Sequence, residues 1–374
     1  MKAYKYKLYK NKNNDQLSNL ITVCGYWYNH CIKLHKRYYR RYNKMLNMYQ
    51  LQKHLTKLKK TEKFNYLKEI PIDALQEVTE RIDKGYKLFF SNLKKNIKSR
   101  PPKFKKSKFY KSLILKKAGF KILDNNKIKI KDRIYKYSKS QEILGKVKRI
   151  SVSRNNLNEY YIVVITDYKD EKVIDKTDKS VGYDFGLKTF LISNDYEDIE
   201  SPLYLLENIA KLRKLSNNLS KKKKGSNNYK KAKIKLARLH KKIYNKRLDF
   251  HNKLALTLVK KYDNFFFENL DLQAISKRFG RKIYDLGFYQ FLQILKNKCS
   301  QYKKNIYFIN RYFPSSKTCS KCGFINKDLK LSDREWTCSA CSTHHDRDRN
   351  ASFNIYNEGA SSFKVGCCQS TTAV

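Results

Sequence analysis

The chain has 374 residues, with 83 Lys or Arg against 33 Asp or Glu and a formal net charge of +50 at pH 7. That excess is too large for an ordinary solvated surface and calls for a polyanionic partner; the 29 Tyr and 20 Phe interleaved with the cations suit phosphate neutralisation joined to base stacking. No apolar run is long enough to span a bilayer and residues 1–20 lack a signal-peptide core, so an intracellular protein acting at nucleic acid is expected, with basic contact to a membrane surface as the competing reading.

In chain order, residues 3–9, AYKYKLY, alternate as a strand does, and Asn11 to Asp15 form a turn. A helical region runs from Gln16 to Lys98. Within it Leu75, Val78, Ile82, Tyr86, Phe89 and Phe90 recur at spacings near three and four and draw one apolar face, with Pro71 at the start and Pro101-Pro102 after the end. From Lys103 to Tyr168 the pattern changes to short strands, Ile128–Ile130, Val147–Val152 and Tyr160–Thr166, separated by Asn and Asp turns. One strand before the helices and several after them predict a small β-barrel interrupted by a helical insertion.

A charged linker, Lys169 to Ser180, leads to VGYDFGLKTFLI at residues 181–192, which reads as strand, tight turn, strand. Asp184 falls there among apolar neighbours, where a carboxylate is costly unless it is paired or binds a cation; an ordinary turn aspartate is the plainer alternative. Leu206 to Lys261 is a lysine-rich helical pair broken at Gly225-Ser226-Asn227. Most of its lysines are simply solvated, although the pair as a whole suits a nucleic-acid backbone. Asn264 to Leu270, NFFFENL, is an apolar strand with Glu268 at its carboxyl end, where ligands gather in open α/β sheets. A helix bearing Phe288, Phe291, Leu292 and Leu295 follows, then a strand at Ile306–Ile309.

Four of the nine cysteines form two Cys-x-x-Cys pairs, Cys319/Cys322 and Cys338/Cys341, fifteen residues apart. Each knuckle turns two sulfurs toward one point, and two knuckles close a tetrahedron around Zn2+, a structural site with no open position. Disulfides are the alternative, and reduced intracellular thiols weigh against them. Cys24, Cys31 and Cys299 are expected as buried free thiols, and Cys367 and Cys368 stand near the end. The stretch His345-Asp346-Arg347-Asp348-Arg349-Asn350-Ala351-Ser352 opens a helix that continues through Phe353, Ile355 and Tyr356. Two acids at a helix start are explained as well by capping and the helix dipole as by chemistry. A short polar tail closes the chain.

An Asp in a first strand, a Glu ending a later strand and an Asp opening a last helix are the layout of an RNase H-like nuclease core. GYDFGLKTF, FFFENL and a CxxC…CxxC ribbon followed by DRDRNASFNI resemble the three RuvC-type motifs of the TnpB family, transposon-encoded relatives of type V CRISPR effectors. The likeness covers nearly the whole chain: YKYKLYKNKNNDQL resembles the family's opening strand, PIDALQEVTERIDKGYKLFF its recognition helix, and RYFPSSKTCSKCG with SDREWTCSAC the run through the ribbon. The resemblance implies an α/β RuvC-like core at 176–311 and 345–360 with a zinc ribbon inserted at 312–344. It also implies a wedge-like split β-barrel at 1–14 and 99–175, a helical recognition domain at 15–98 and a disordered tail at 361–374.

The resemblance further implies that Asp184, Glu268 and Asp348 are the catalytic carboxylates, holding two Mg2+ with Asp184 between them, and that Cys319, Cys322, Cys338 and Cys341 hold Zn2+. Asp348 is preferred to Asp346 because it precedes x-Asn, as in the family pattern. In one departure, Ser342 stands where the second knuckle commonly has Gly. Lys317, Lys321 and Trp336 are noted beside the ribbon, where solvation and packing explain them equally well. The implied activity is RNA-guided cleavage of double-stranded DNA next to a short adjacent motif, with a guide RNA from the transposon end. Two other functions remain in view: a nuclease-inactive, guide-dependent DNA-binding repressor, against which the intact acids weigh, and a transposase acting on transposon ends, for which no second synapsis domain is visible.

Overall fold

Strand β1 (Lys2–Leu8) buries Tyr4, Tyr6 and Leu8 and turns the intervening residues outward, as period-two alternation requires. It lies inside a seven-stranded antiparallel sheet completed by β2 (Ser112–Leu115), β3 (Phe120–Leu123), β4 (Lys127–Ile130), β5 (Arg133–Ser138), β6 (Val147–Arg154) and β7 (Tyr160–Thr166), in the order β2-β6-β7-β1-β5-β4-β3. β1 pairs with β7 from Lys2↔Thr166 to Lys7↔Tyr161 and with β5 at Lys7↔Ser138. The two edge strands, β2 and β3, are consecutive in sequence and joined only through the 3-10 turn Lys117–Gly119. Both edges therefore come to one place, and the sheet curls into a nearly closed barrel.

The structure is a computed structural model that describes residues 1–106, 109–168, 174–270, 280, 285–330 and 332–367. The chain divides into two compact units, Met1–Asp170 and Glu171–Val374. In the first unit, helices α1 (Asn14–Tyr42), α2 (Met48–Leu58) and α3 (Ile72–Lys94) stand between β1 and β2 in sequence. Their inward faces, including Leu17, Ile21, Trp27, Leu75, Val78 and Ile82, share one core with the barrel, and Trp27 Nε1 donates to the Leu75 carbonyl at 3.1 Å. The apolar face expected along α3 ends before its last turn: Phe90 is exposed. Cys24, Cys31 and Cys299 are buried free thiols, as expected.

The second unit is built on a five-stranded sheet, β10-β9-β8-β11-β12, from β8 (Ser180–Asp184), β9 (Thr189–Ser193), β10 (Ile199–Glu200), β11 (Asn264–Phe267) and β12 (Asn305–Phe308). β8, β11 and β12 are parallel, and the β8–β9–β10 edge is antiparallel. Parallel neighbours need long crossovers. The connection from the β10 edge to β11 carries α4 (Tyr204–Ser220) and α5 (Asn227–Lys261), and the one from β11 to β12 carries α6 (Phe288–Tyr302). The ribbon strands β13 (Glu335–Thr337) and β14 (His344–Asp346) and the last helix, α7 (Arg347–Cys367), follow.

The continuous run of Phe in β11 makes sense here, because the sheet is covered on both faces. Phe265 and Phe267 pack into the core with Phe190, Phe288 and Phe291, whereas Phe266 points to the opposite face against Ile355 and Tyr356 of α7. α7 continues through Cys367, past residue 361 where a disordered tail was expected, and its Phe363 ring lies 5.1 Å from that of Tyr307. Residues 169–173 of the expected linker and 368–374 of the expected tail lie outside the described residues. Among the described residues, no helix is long and apolar enough to cross a membrane.

Candidate active site and metal centre

Strand register brings the first two acids together. β8 and β11 are parallel and matched from Ser180↔Asn264 to Tyr183↔Phe267, so Asp184 and Glu268 are the next residues on adjacent strands, a spacing of about 4.8 Å between chains. The third comes from α7, which lies tightly over β8 at Gly182. A Cβ on Gly182 would sit 2.6 Å from the Tyr356 backbone nitrogen and 2.8 Å from the Ser352 carbonyl, so only glycine allows the approach. Asp348, in the first turn of that helix, thereby shares one cavity of about 1290 Å³ with Asp184 and Glu268, lined also by Lys188, Lys321 and Arg334.

The electrostatics of this cluster are unfavourable as they stand. Burial pushes the Asp184 carboxyl up to about 8, and the charges of Glu268 and Asp348 push the same way, against the Phe185 N–H donated to Asp184 Oδ1 at 2.9 Å. Burial also raises Glu268. Asp348 Oδ2 accepts from Arg334 at 3.2 Å. Like charges gathered at a cavity wall with oxygen-only donors fit a hard divalent cation, which would relieve their mutual repulsion.

Asp346 sits otherwise. It is exposed, and its Oδ1 accepts the Arg349 N–H at 2.7 Å, the bond an N-cap makes to the third helical residue. The strand β14 extends through it, so the helix opens at Arg347 and not at His345 as the sequence suggested.

The four cysteines converge as well: the Sγ atoms of Cys319, Cys322, Cys338 and Cys341 all lie within 4.8 Å of one another, with Cys319–Cys341 at 3.6 Å and Cys322–Cys338 at 3.5 Å. Tetrahedral zinc with Zn–S bonds of about 2.3 Å separates sulfurs by about 3.8 Å, so the cluster fits a zinc ribbon. The knuckles are matched in their backbones: Gly323 N–H donates to Cys319 O at 2.9 Å and Ser342 N–H to Cys338 O at 2.8 Å. Gly323 has φ 79 and Ser342 φ 55. The serine thus occupies a left-handed position that its glycine counterpart takes without strain.

Two family models match consecutive stretches of the chain, "OrfB_IS605: Probable transposase" over residues 163–278 and "Cas12f1-like, TNB domain" over 288–355. A Streptomyces pristinaespiralis protein named "Putative RNA-guided DNA endonuclease" is 28% identical over 370 residues, 98% of this chain and 91% of that protein. The "Putative RNA-guided DNA endonuclease InsQ" of Escherichia coli K12 is 23% identical over 384 residues, covering 96% and 92%. "TnpB-like protein L770" of Acanthamoeba polyphaga mimivirus is 28% identical over 240 residues, 60% of this chain and 46% of that one. The chain is thus similar to TnpB-like proteins and to putative RNA-guided DNA endonucleases. Among solved structures, the protein of a cryo-EM "Cas12f1-sgRNA-target DNA complex" shares the fold at TM-score 0.60 and 17% identity, over 93% of this chain and 83% of that one.

Several contacts in this protein were not legible from the sequence. His345 is buried, with Nε2 3.0 Å from Cys319 Sγ and its ring 4.9 Å from that of Trp336. Such an outer partner orients a thiolate ligand; a histidine so close after a cysteine knuckle was the available signal. Trp336 is itself buried, the packed reading of that residue, and Lys317 Nζ donates to the Lys327 carbonyl at 3.0 Å. Asn350 ties α7 to the first knuckle, since its Nδ2 donates to the Thr318 carbonyl at 2.7 Å and its Oδ1 accepts the Ser320 N–H at 2.9 Å. Asn354 Nδ2 adds bonds to the Ser315 and Thr318 carbonyls at 2.8 and 2.6 Å. The helix that presents Asp348 is thereby bolted to the ribbon.

Proposed function

We propose that this protein is a TnpB-type RNA-guided DNA endonuclease encoded by a transposable element, which cuts double-stranded DNA beside a short adjacent motif. The observation that carries this reading is the convergence of Asp184, Glu268 and Asp348 on one cavity, in a chain that aligns almost end to end with relatives named for that activity. In this reading the second unit is an RNase H-like, RuvC-type nuclease core with an inserted zinc ribbon, and the barrel and helices of the first unit are its wedge-like and recognition domains. The net charge of +50 suits a channel that holds an RNA–DNA duplex by its backbones while base pairing supplies the sequence.

Asp184, Glu268 and Asp348 would hold Mg2+, and Cys319, Cys322, Cys338 and Cys341 would hold Zn2+ with a purely structural role. Bound Mg2+ supplies activation of water and charge neutralisation at the scissile phosphate. The protein's own part is to place oxygen donors: Asp184 and Glu268 from adjacent strand ends, Asp348 from a helix fixed by the Gly182 crossing and the Asn350 bonds. Lys188, Lys321 and Arg334 supply positive charge for the strand's phosphates at the cavity wall.

The deciding experiment purifies the protein with RNA co-expressed from its own locus and offers matched double-stranded DNA with Mg2+. Cleavage that disappears in Asp184→Ala supports the nuclease. Tight guided binding without cutting favours a repressor, and strand joining favours a transposase.

A further inference from the structure

Tyr196 occupies the turn between β9 and β10 with φ 64, the left-handed region that a bulky side chain rarely enters. The turn is pinned in place: Ser193 Oγ donates to Asp195 Oδ1 at 2.6 Å, the Glu197 N–H donates to the same oxygen at 3.2 Å, the Ser193 N–H donates to Asp198 Oδ1 at 3.0 Å, and the Tyr262 hydroxyl donates to Asp195 Oδ2. This conformation is maintained for a ring that stays out in the open, 71% exposed.

The ring is nevertheless backed. The Arg349 guanidinium carbon lies 4.5 Å from its centroid, and the Phe353 ring stands edge-on at 6.0 Å. Arg349 is itself held by two bonds to the Asp198 carboxylate, at 2.9 and 2.5 Å, and by one to the Ser193 carbonyl. A fixed, cation-backed aromatic face, open to solvent, lines the same cavity as Asp184, Glu268 and Asp348, and its backing residue immediately follows Asp348 on α7.

We propose that Tyr196 is the stacking platform for a nucleobase of the strand entering the carboxylate cavity, and so fixes the nucleotide beside the phosphate to be cut. The proposal rests on the nuclease reading above. Every base has a π-face, so such a platform is indifferent to sequence, as a guide-directed enzyme requires. The acids of the turn do not oppose it: Asp198 is paired with Arg349, Asp195 accepts from Ser193 and Tyr262, and Glu197 pairs with Lys261.

The test uses the full chain with its co-expressed RNA and single-stranded DNA oligonucleotides carrying 2-aminopurine at successive positions, with Ca2+ replacing Mg2+ to prevent cutting. Tyr196→Gly relieves the positive φ, so this variant is expected to unfold no earlier than the wild type and cannot lose binding by misfolding. The expected result is quenching at one position in the wild type and Tyr196→Phe, lost in Tyr196→Gly. With Mg2+ and matched DNA, KM is expected to rise about tenfold in Tyr196→Gly with kcat changed less, and Tyr196→Phe restores it. Unchanged quenching and KM in Tyr196→Gly, in a preparation that cuts, overturn the platform. Tyr196-dependent quenching in a wild-type protein that never cuts supports the platform and overturns the nuclease reading instead.

Discussion

Asp346 and Asp348 stand two residues apart at the opening of α7 and turn to different partners: Asp346 Oδ1 accepts the Arg349 backbone N–H at 2.7 Å, whereas Asp348 Oδ2 accepts from the Arg334 guanidinium at 3.2 Å. Both line the cavity, but the first is a cap and only the second is among the charges that act on Asp184. Asp346→Ala is therefore expected to cost about 1 kcal/mol of stability, the usual loss for an N-cap, while cleavage survives. Asp348→Asn is expected to unfold with the wild type and to lose cutting by about 100-fold or more. Thermal unfolding and cleavage rates on the two variants check this, and the reverse pattern would exchange the two assignments.

Gly182 is the point at which α7 touches the central strand, and its missing side chain sets the distance from Asp348 to Asp184. The atoms a Cβ would meet are the Tyr356 nitrogen and Cβ and the Ser352 carbonyl oxygen; two are backbone and the third is bonded directly to it, so none can swing aside. Gly182→Ala is expected to lift the helix, to destabilise the second unit by about 1–3 kcal/mol, as overpacking does, and to abolish cleavage. Gly225, whose Cβ would meet nothing within 4 Å among the described residues, is the control position: its alanine variant carries backbone strain and no clash, and should cut normally. Equal behaviour of the two variants in a cleavage assay would refute the argument.

These contacts mark the limit of what the sequence made legible. Asp184 and Glu268 could be placed because each ends an apolar strand, a pattern carried by a few consecutive residues. The four-cysteine cluster announced itself by spacing alone. Tyr196, Arg334 and Asn350 could not be read this way, because their partners, Arg349, Asp348 and Thr318, come from elements brought together only by the fold. The barrel was partly visible: β4, β6 and β7 stood out by their β-branched residues, whereas β2, β3 and β5 are short or mixed with lysine and emerge only from pairing. Phe90 fitted the apolar spacing of α3 and is nevertheless exposed, since periodicity describes a face without saying how far its cover extends.

His35 supplies a test of acid stability in the first unit. It is 1% exposed, neither ring nitrogen has a hydrogen-bond partner among the described residues, and burial pulls it down to about 4 from an ordinary 6.5, against the opposing charge of Asp83. The unfolded chain takes up a proton near pH 6.5 and the folded chain only near 4, so between these values the unfolded state binds more protons. Stability is then full above pH 6.5 and falls as the pH drops toward 4. His35→Phe keeps a ring against Tyr86, whose centroid is 4.9 Å away, and removes the titration. The variant is expected to gain on the wild type by on the order of 2 kcal/mol between pH 7 and pH 4.5. Denaturant unfolding at both pH values measures the gain, and parallel curves would contradict it.

The ribbon makes a prediction that reaches the acids. Cys338 shares the four-sulfur cluster with Cys319, whose knuckle holds α7 through Thr318 and Ser320 bonded to Asn350. Removing one sulfur leaves an incomplete tetrahedron around a metal, and the knuckle is then left to its short backbone hydrogen bonds, with Ser342 already at φ 55. The purified protein is expected to carry one zinc per chain by elemental analysis, and Cys338→Ser to lose it. Because the first knuckle anchors the helix bearing Asp348, cleavage should fall with the zinc although none of the four cysteines belongs to the acid cluster. A zinc-free preparation that cuts at the wild-type rate would sever that link, and a wild-type protein without zinc would remove the ribbon reading itself.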